Sequence, residues 1–341
     1  MHLIYAIFVG KTKDLHLMTS SFKLSLSPLQ GYTEAIYRNA HAACFGGIDT
    51  YFSPFVRVEN KQGAESPFRN KDIRDILPER NTVSHFVPQL IASNPDELSL
   101  ITEKFLSLGY HEADINMGCP FPMIAKKHKG SGLLPHPDEV AALLNAAGNY
   151  PEMKFSLKMR LGWEDTNECM ELLDMINSSC LTDIAVHART GKQQYKGSVQ
   201  MEAFEVFAQG CKKQLHFNGD VCTVNDIHRI QTAYPTLAGI YIGRGILQNP
   251  FLPLLYKEQS SLQTLPVAEM VSKFHSMLFE QYNMLLQCDH HTLQKMQLFW
   301  EYLAPKLEKK SKKRIAKCKY LSEYLKLSGE VLDNISAEDF E

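Results

Sequence analysis

Residues 154–189 read KFSLKMRLGWEDTNECMELLDMINSSCLTDIAVHAR. Two short runs rich in apolar and β-branched residues, 154–160 (KFSLKMR) and 183–189 (DIAVHAR), flank a segment that starts polar and then carries helical periodicity. That is the strand–helix–strand rhythm of a parallel sheet. The rhythm extends in both directions. Runs of the same kind stand at 22–29 (FKLSLSPL), 50–56 (TYFSPFV), 85–91 (HFVPQLI), 111–117 (HEADINM), 214–219 (QLHFNG) and 239–243 (GIYIG). Eight strands alternating with helices is the number that closes a barrel. The sequence therefore predicts an α/β fold, a (β/α)8 TIM barrel with a small C-terminal helical domain.

The helices between the strands have ordinary starts. Asn94 to Leu108 opens SNPDEL and Pro137 to Ala147 opens PDEV, with N-cap residues and first-turn acids that suit a helix dipole rather than catalysis. After Pro253 the strand pattern stops, and amphipathic helices are expected at 267–286, 291–303 and 311–327. The expected division is an extension at 1–17, with Met18 as a possible start, a barrel domain at 18–255 and a helical domain at 256–341.

Composition narrows the classes. The chain has 341 residues, 44% hydrophobic and 22% charged, the balance of a protein with a buried core rather than a disordered one. Its formal net charge is −2, so a nucleic-acid partner needs a local patch. The eight cysteines form no CxxC pair and no tight Cys/His framework. No metal site is expected, and the cysteines read as reduced thiols in the cytoplasm. Leu3 to Gly10 is apolar but far shorter than the roughly 20 residues of a bilayer span. Neither membrane association nor an obligate protein partner is expected.

A barrel enzyme builds its site at the C-terminal ends of its strands and in the loops that follow. Those positions read Ser27-Pro28-Leu29-Gln30-Gly31, Pro88-Gln89-Leu90, Asn116-Met117-Gly118-Cys119-Pro120, Lys158-Met159-Arg160, His187-Ala188-Arg189-Thr190, Asn218-Gly219-Asp220 and Gly243-Arg244-Gly245. The last two follow strands seven and eight, where barrels bind phosphate through backbone N–H groups and a helix start. Lys158 ends an apolar strand and is costly to bury unpaired, so it is expected to face the site. There it could hold the electron-rich edge of a flavin ring, form a Schiff base with a carbonyl substrate, or serve only in an ion pair. His187 is either a satisfied core residue or a ligand contact, and Arg189 on the same strand face favours an anion. Cys119 lies in a loop on the catalytic face, where a protonated thiol could donate a proton as well as attack. Gly130-Ser131-Gly132, preceded by Lys126, Lys127, His128 and Lys129, reads as a mobile basic loop, either suited to phosphate or merely solvated.

With these residues in view, the sequence resembles the tRNA-dihydrouridine synthase family across nearly all of residues 22 to 335. The resemblance rests on Asn116-Met117-Gly118-Cys119-Pro120 followed by Gly130-Ser131-Gly132-Leu133-Leu134. It is supported by Pro88-Gln89-Leu90, the KMRLGW run at 158–163, the VHART run at 186–190, Asn218-Gly219-Asp220 and the IGRG run at 242–245. The stretches 51–58, 161–163 and 296–300 are similar to the C-type bacterial subgroup.

The resemblance implies bound FMN, NADPH as reductant, and reduction of the C5=C6 bond of a uridine in tRNA. It implies that Pro28, Leu29, Gln30, Gln89, Lys158, Asn218, Gly219, Asp220, Gly243 and Arg244 contact FMN, and that Cys119 is the proton donor. Asn116, Arg160 and Tyr195 would hold the uracil, and His187 would meet the cofactor or the uracil. The basic run at 306–319 (KLEKKSKKRIAKCK) would grip the tRNA backbone from the helical domain. Two stretches depart from the family pattern. Ser27-Pro28-Leu29 replaces its usual Ala-Pro-Met, and Phe121-Pro122-Met123 replaces its usual small and basic residues. Other classes consistent with the residues alone are a flavin reductase of a free small molecule, a flavin-free aldolase using Lys158, and a catalytically silent RNA-binding protein.

Overall fold

A computed structural model of the protein describes residues 22–59 and 66–341. The expected extension at 1–17, and Met18 as a start, lie outside the described residues. The strands are β1 (Lys23–Leu26), β2 (Thr50–Phe52), β3 (Phe86–Val87), β4 (Gln89–Leu90), β5 (Glu112–Met117), β6 (Lys154–Gly162), β7 (Asp183–Thr190), β8 (Gln214–Asn218) and β9 (Gly239–Ile242). Each expected run holds a strand, with one amendment. The 85–91 run is split into β3 and β4 at Pro88, which lacks the N–H a continuous ladder would use.

All neighbours pair in parallel, in the order β3-β2-β1-β9-β8-β7-β6-β5-β4. The two ends of this sheet are the two halves of one interrupted strand, so the sheet wraps into a barrel. Successive carbonyls make the join. Val87 O accepts from Ser53 N–H at 3.2 Å on one side, and Pro88 O accepts from Asp114 N–H at 3.0 Å on the other.

Alternation along the strands builds two apolar layers. Inside the barrel, Phe52, Val87, Ala185 and Tyr241 form a buried cluster, with the Phe52 and Tyr241 rings stacked at 4.8 Å. Between strands and helices, residues such as Ile115, Leu157, Ile184 and Ile240 are buried with Leu143, Phe204 and Ile227. Removing this surface from water is the main force holding the barrel closed. The helices start as their sequences imply. Asn94 accepts from Glu97 N–H at 3.0 Å to cap Pro95–Ser107, and Pro137–Ala147 begins on its proline.

The C-terminal region is helical, with Val267–Leu286 as expected and Asp289–Tyr302 two residues ahead of expectation. The single helix expected at 311–327 is instead two, Lys309–Lys317 and Leu321–Leu332. The amide of Gln297 explains the break, because its Nε2 donates to the carbonyls of Ile315 and Cys318, both at 3.0 Å, and of Ala316 at 3.3 Å. Those carbonyls would otherwise be left without partners at the helix end.

These helices dock on the barrel mouth. Phe274 meets Tyr37 and Phe45 edge to face at 5.4 and 5.1 Å. Tyr32 OH donates to Glu301 at 2.6 Å, and Lys295 donates to Gly31 O at 3.1 Å and Glu34 at 2.7 Å. The Asp289–Tyr302 helix thus lies against the loop after β1, with the Lys309–Lys317 helix packed behind it. Among the described residues no helix is long and apolar enough to cross a membrane.

Candidate active site

One cleft opens at the C-terminal ends of the strands. Pro28, Leu29, Gln30, Gln89, Asn116, Cys119, Lys158, Arg160, His187, Tyr195, Asn218, Gly219, Asp220, Gly243 and Arg244 all line it. They come from seven different strand ends and are brought together only by barrel closure.

On one side a chain of hydrogen bonds fixes every amide. Ser156 Oγ donates to Asp114 Oδ1 at 2.7 Å, Gln89 Nε2 donates to Asp114 Oδ2 at 2.6 Å, and Asn116 Nδ2 donates to Gln89 Oε1 at 2.8 Å. Asn116 Oδ1 then accepts from the N–H groups of Gly118 at 3.0 Å and Cys119 at 2.9 Å. A buried acceptor at the start of the chain leaves each amide one orientation. Burial pushes the Asp114 pKa up to about 6, against the hydrogen bonds from Gln89 and Ser156 and the charge of Lys158.

Cys119, at the end of this chain, is only 7% exposed. Burial raises its thiol pKa, outweighing the Phe121 N–H and the nearby charges of Arg160 and Lys158, which pull it down. The thiol is therefore held protonated at neutral pH, the state of an acid rather than a nucleophile.

The floor is cationic. Lys158 Nζ donates to Asn218 Oδ1 at 2.9 Å, and Asn218 Nδ2 donates to Tyr241 O at 2.7 Å. Burial and, secondarily, the Arg160 charge lower the Lys158 pKa to about 8. Arg160 reaches the carbonyls of Gly118 at 3.0 Å, Thr190 at 2.8 Å and Gln194 at 2.7 Å. Burial pulls its pKa down to about 10. Tyr195 spans the mouth, with the Arg160 and Arg244 guanidinium carbons 5.4 and 4.5 Å from its ring centroid. Burial and the charges of Arg160 and Lys158 keep His187 neutral, its pKa well below the usual value. Its Nδ1 is buried with no hydrogen-bond partner, a cost that a bound ligand could remove.

The opposite side offers backbone donors. The first hydrogen bond of the turn after β9 is from Ile246 N–H to Gly243 O at 3.0 Å, so the N–H groups of Gly243, Arg244 and Gly245 precede it and point out of the turn. Gly245 must be glycine, since a Cβ there would lie 2.0 Å from Val221 O. Gly219 has φ +145° and Asp220 φ +38°, so the chain turns sharply where both line the cleft. The Asp220 carboxylate is taken up by Arg189 and by Arg244, the latter at 2.9 Å. Burial raises its pKa, but the Arg189 hydrogen bonds and both arginine charges outweigh this and hold it below the usual carboxylate range. The Asp220 carboxylate, which also accepts from its own backbone N–H, is therefore spoken for by Arg189, Arg244 and that N–H.

Two expectations are corrected here. Arg189, read as an anion contact, is 2% exposed and pairs with Asp220 and Gly197 O instead. Gly130-Ser131-Gly132, read as a mobile basic loop, is a buried turn packed beneath Cys119. Ser131 donates to Cys119 O through N–H at 3.1 Å and Oγ at 2.9 Å. A Cβ on Gly130 would lie 2.7 Å from that same oxygen. Lys129 beside it is buried against Glu97 at 2.7 Å, and His128 bonds Glu139 at 2.9 Å. Asp114 and Ser156 were not singled out from sequence. The signal was present in Asp114, a carboxylate at an inward position of an apolar strand, the same reasoning that selects Lys158.

Comparison with known proteins gives the family. The family model described as dihydrouridine synthase matches residues 25–336. A probable tRNA-dihydrouridine synthase of Staphylococcus epidermidis is 28% identical over 269 residues, covering 76% of this chain and 78% of that one. A probable tRNA-dihydrouridine synthase 2 of Bacillus subtilis is 28% identical over 258 residues, covering 73% and 77%. Among solved structures, the fold is similar to that of histamine dehydrogenase from Rhizobium, with TM-score 0.51, 10% identity, and 75% of this chain and 49% of that one covered. It is similar too to TcOYE with pHBA, with TM-score 0.50, 10% identity, and 70% and 89% covered. With the family match spanning the barrel, the cleft and the C-terminal helices, the chain belongs to the dihydrouridine synthase family, whose members are oxidoreductases acting on CH–CH bonds.

Proposed function

We propose that this protein is a cytoplasmic tRNA-dihydrouridine synthase that uses FMN and NADPH to reduce the C5=C6 bond of a D-loop uridine. The observation that carries the reading is a buried thiol, Cys119, sharing one cleft with Lys158, Arg160 and the amides of Gln89 and Asn116.

The residues fit a flavin phosphate and ring. The N–H groups of Gly219, Gly243 and Arg244 would hold the phosphate, with Asp220 beside them, and Pro28, Leu29, Gln30, Gln89, Asn218 and Lys158 would surround the ring. The lone Nδ1 of His187 supplies a polar atom that the ring or the uracil would satisfy. When bound and reduced by NADPH, FMN supplies the hydride that uracil C6 receives.

Cys119 then gives its proton to C5. Negative charge that develops on the uracil oxygen is met by donors already held in place, the Asn116 amide and the Arg160 guanidinium. The same Arg160 and Lys158 charges steady the thiolate left behind, which regains a proton from solvent. Tyr195, exposed at the cleft and held by the Arg160 and Arg244 guanidinium groups over its ring, is the aromatic side chain placed to meet the base.

A uridine within folded tRNA reaches this depth only by leaving its stack. With the barrel proposed to span 18–255 and the helical domain 256–341, the latter would have the role of holding the RNA. The exposed cations of 306–319 lie on and around the Lys309–Lys317 helix, which packs on the Asp289–Tyr302 helix, and would take the RNA backbone. The test is mass spectrometry of dihydrouridine, position by position, in unmodified tRNA incubated with purified protein and NADPH, with Cys119→Ala in parallel. New dihydrouridine at a D-loop position, made far more slowly by the variant, is expected. None from a flavin-loaded protein would move the reading to reduction of a free small molecule.

A further inference from the structure

The loop that carries Cys119 continues into a short helix, Pro122–Ala125, whose two faces have opposite fates. Ile124 and Ala125 are buried, while Phe121 is 57% exposed and Met123 is 82% exposed. Phe121 also lines the active-site cleft, two residues from the thiol.

This exposure is built, not the slack of a loose loop. Phe121 O accepts from the N–H groups of Ile124 and Ala125, both at 2.9 Å. Prolines on both sides of Phe121 fix the backbone. Underneath, Gly132 lies so close to Ala125 that a Cβ would sit 2.2 Å from its carbonyl oxygen. A rigid support therefore holds an aromatic ring and a long flexible side chain out into solvent at the lip of the cleft. In the following turn Lys126 and Lys127 are exposed, so the apolar pair is backed by two cations.

Apolar groups next to cations at the rim of a cleft suit a single strand of nucleic acid, because bases offer stacking faces and the backbone offers phosphates. A uridine that leaves its stack also leaves a gap between its neighbours, which an apolar side chain can fill. We propose that Phe121 and Met123 form a wedge that stacks on the bases flanking the reduced uridine, with Lys126 and Lys127 on the adjoining phosphates. The inference rests on tRNA being the substrate.

The test compares the flavin-loaded full-length enzyme with Phe121→Ala, Met123→Ala and the double variant on unmodified tRNA, with Phe121→Tyr and Phe121→Leu as controls. Flavin content and melting temperature establish that each variant is folded. The wedge predicts that the double variant loses on the order of tenfold to hundredfold in kcat/KM, with Phe121→Tyr near wild type and Phe121→Leu impaired. It also predicts that 2-aminopurine placed beside the target uridine is quenched on binding by wild type and less by the double variant. Double-variant activity within twofold of wild type would overturn the wedge while leaving the tRNA reading intact. Full rescue by leucine would show mere apolar cover, and a concentration-dependent dimer lost in the double variant would reassign the patch to a contact between copies. A wild-type enzyme that makes no dihydrouridine in tRNA overturns both readings.

Discussion

Replacing Asp114 by asparagine removes the one buried charge at the head of the amide chain while keeping its shape. Burial raises the Asp114 pKa from 3.8 to about 6, so between those values the folded protein holds a proton that the unfolded chain has released. Stability from this group is fully present below about pH 3.8 and is lost as pH rises through about 6. The shift corresponds to about 3 kcal/mol in full, of which about 1.3 kcal/mol falls between pH 7 and pH 5. In Asp114→Asn the amide oxygen can still accept from Gln89, and the Ser156 hydroxyl can turn to accept from the new NH₂ group. Urea unfolding followed by tryptophan fluorescence at pH 5, 6 and 7 is therefore expected to show the stability gap moving toward wild type by about 1.3 kcal/mol as pH falls. A gap that stays constant with pH would refute the raised pKa. Asp114→Ala instead strands the Gln89 and Ser156 donors, at about 1–3 kcal/mol each. It should be less stable than Asp114→Asn and slower in making dihydrouridine. Equal stability of the two variants would mean that the hydrogen-bond chain does not hold Gln89.

Four further outcomes are expected. Cys119→Ala is expected to keep its flavin absorbance and lose roughly 10²–10⁴-fold in dihydrouridine formation; an unchanged rate would remove Cys119 as the acid. With the Lys158 pKa lowered to about 8, the protonated donor is lost as pH rises through that value. The rate–pH profile should therefore fall near pH 8, and Lys158→Arg should push the fall upward; a profile indifferent to the substitution would exclude Lys158 as the titrating group. Gly132→Ala drives a methyl against the Ala125 carbonyl and should cost about 1–3 kcal/mol or more by thermal denaturation. Gly329→Ala, where nothing lies within 4 Å in the helix Leu321–Leu332, should be neutral or stabilising by up to about 1 kcal/mol.

What was legible in the sequence, and what was not, divides by the range of the interaction. The strands were legible because alternation and β-branching are local, and the cleft was legible because barrel closure converts strand ends into neighbours. The split at Pro88 was local too, but its meaning, that the two halves face different partners, appears only when the sheet closes. Arg189 misled because its partner, Asp220, lies on the next strand end; an unpaired arginine and a paired one look alike in one dimension. Gly130-Ser131-Gly132 misled for the opposite reason. Glycines that permit motion and glycines that permit close packing have the same letters, and here they permit Cys119 and Ala125 to approach. The break at 318–320 depends on Gln297, from a different helix, and no periodicity in 311–327 could announce it.

The proposed role of Cys119 as the acid is one that the charges of the cleft favour. A chain of net charge −2 gathers Lys158, Arg160 and Arg244 at one mouth, a local positive field set against the whole molecule. Such a field favours a phosphate at one end and a developing oxyanion at the other. It disfavours any acid that is itself cationic. The pKa of His187 shows the effect, lowered by desolvation first and then by Arg160, Lys158, Arg189 and Arg244. A protonated histidine would be lost from this site at neutral pH, and a carboxylic acid would be ionised by the same cations. A neutral thiol escapes both problems. In the proposed reaction burial would keep its proton on until negative charge develops at the uracil, and the cations that lower the His187 pKa would then stabilise the thiolate. That combination requires Cys119 to stay buried and Arg160 to stay close, which is what the packed Gly130–Leu133 turn and the carbonyl contacts of Arg160 provide.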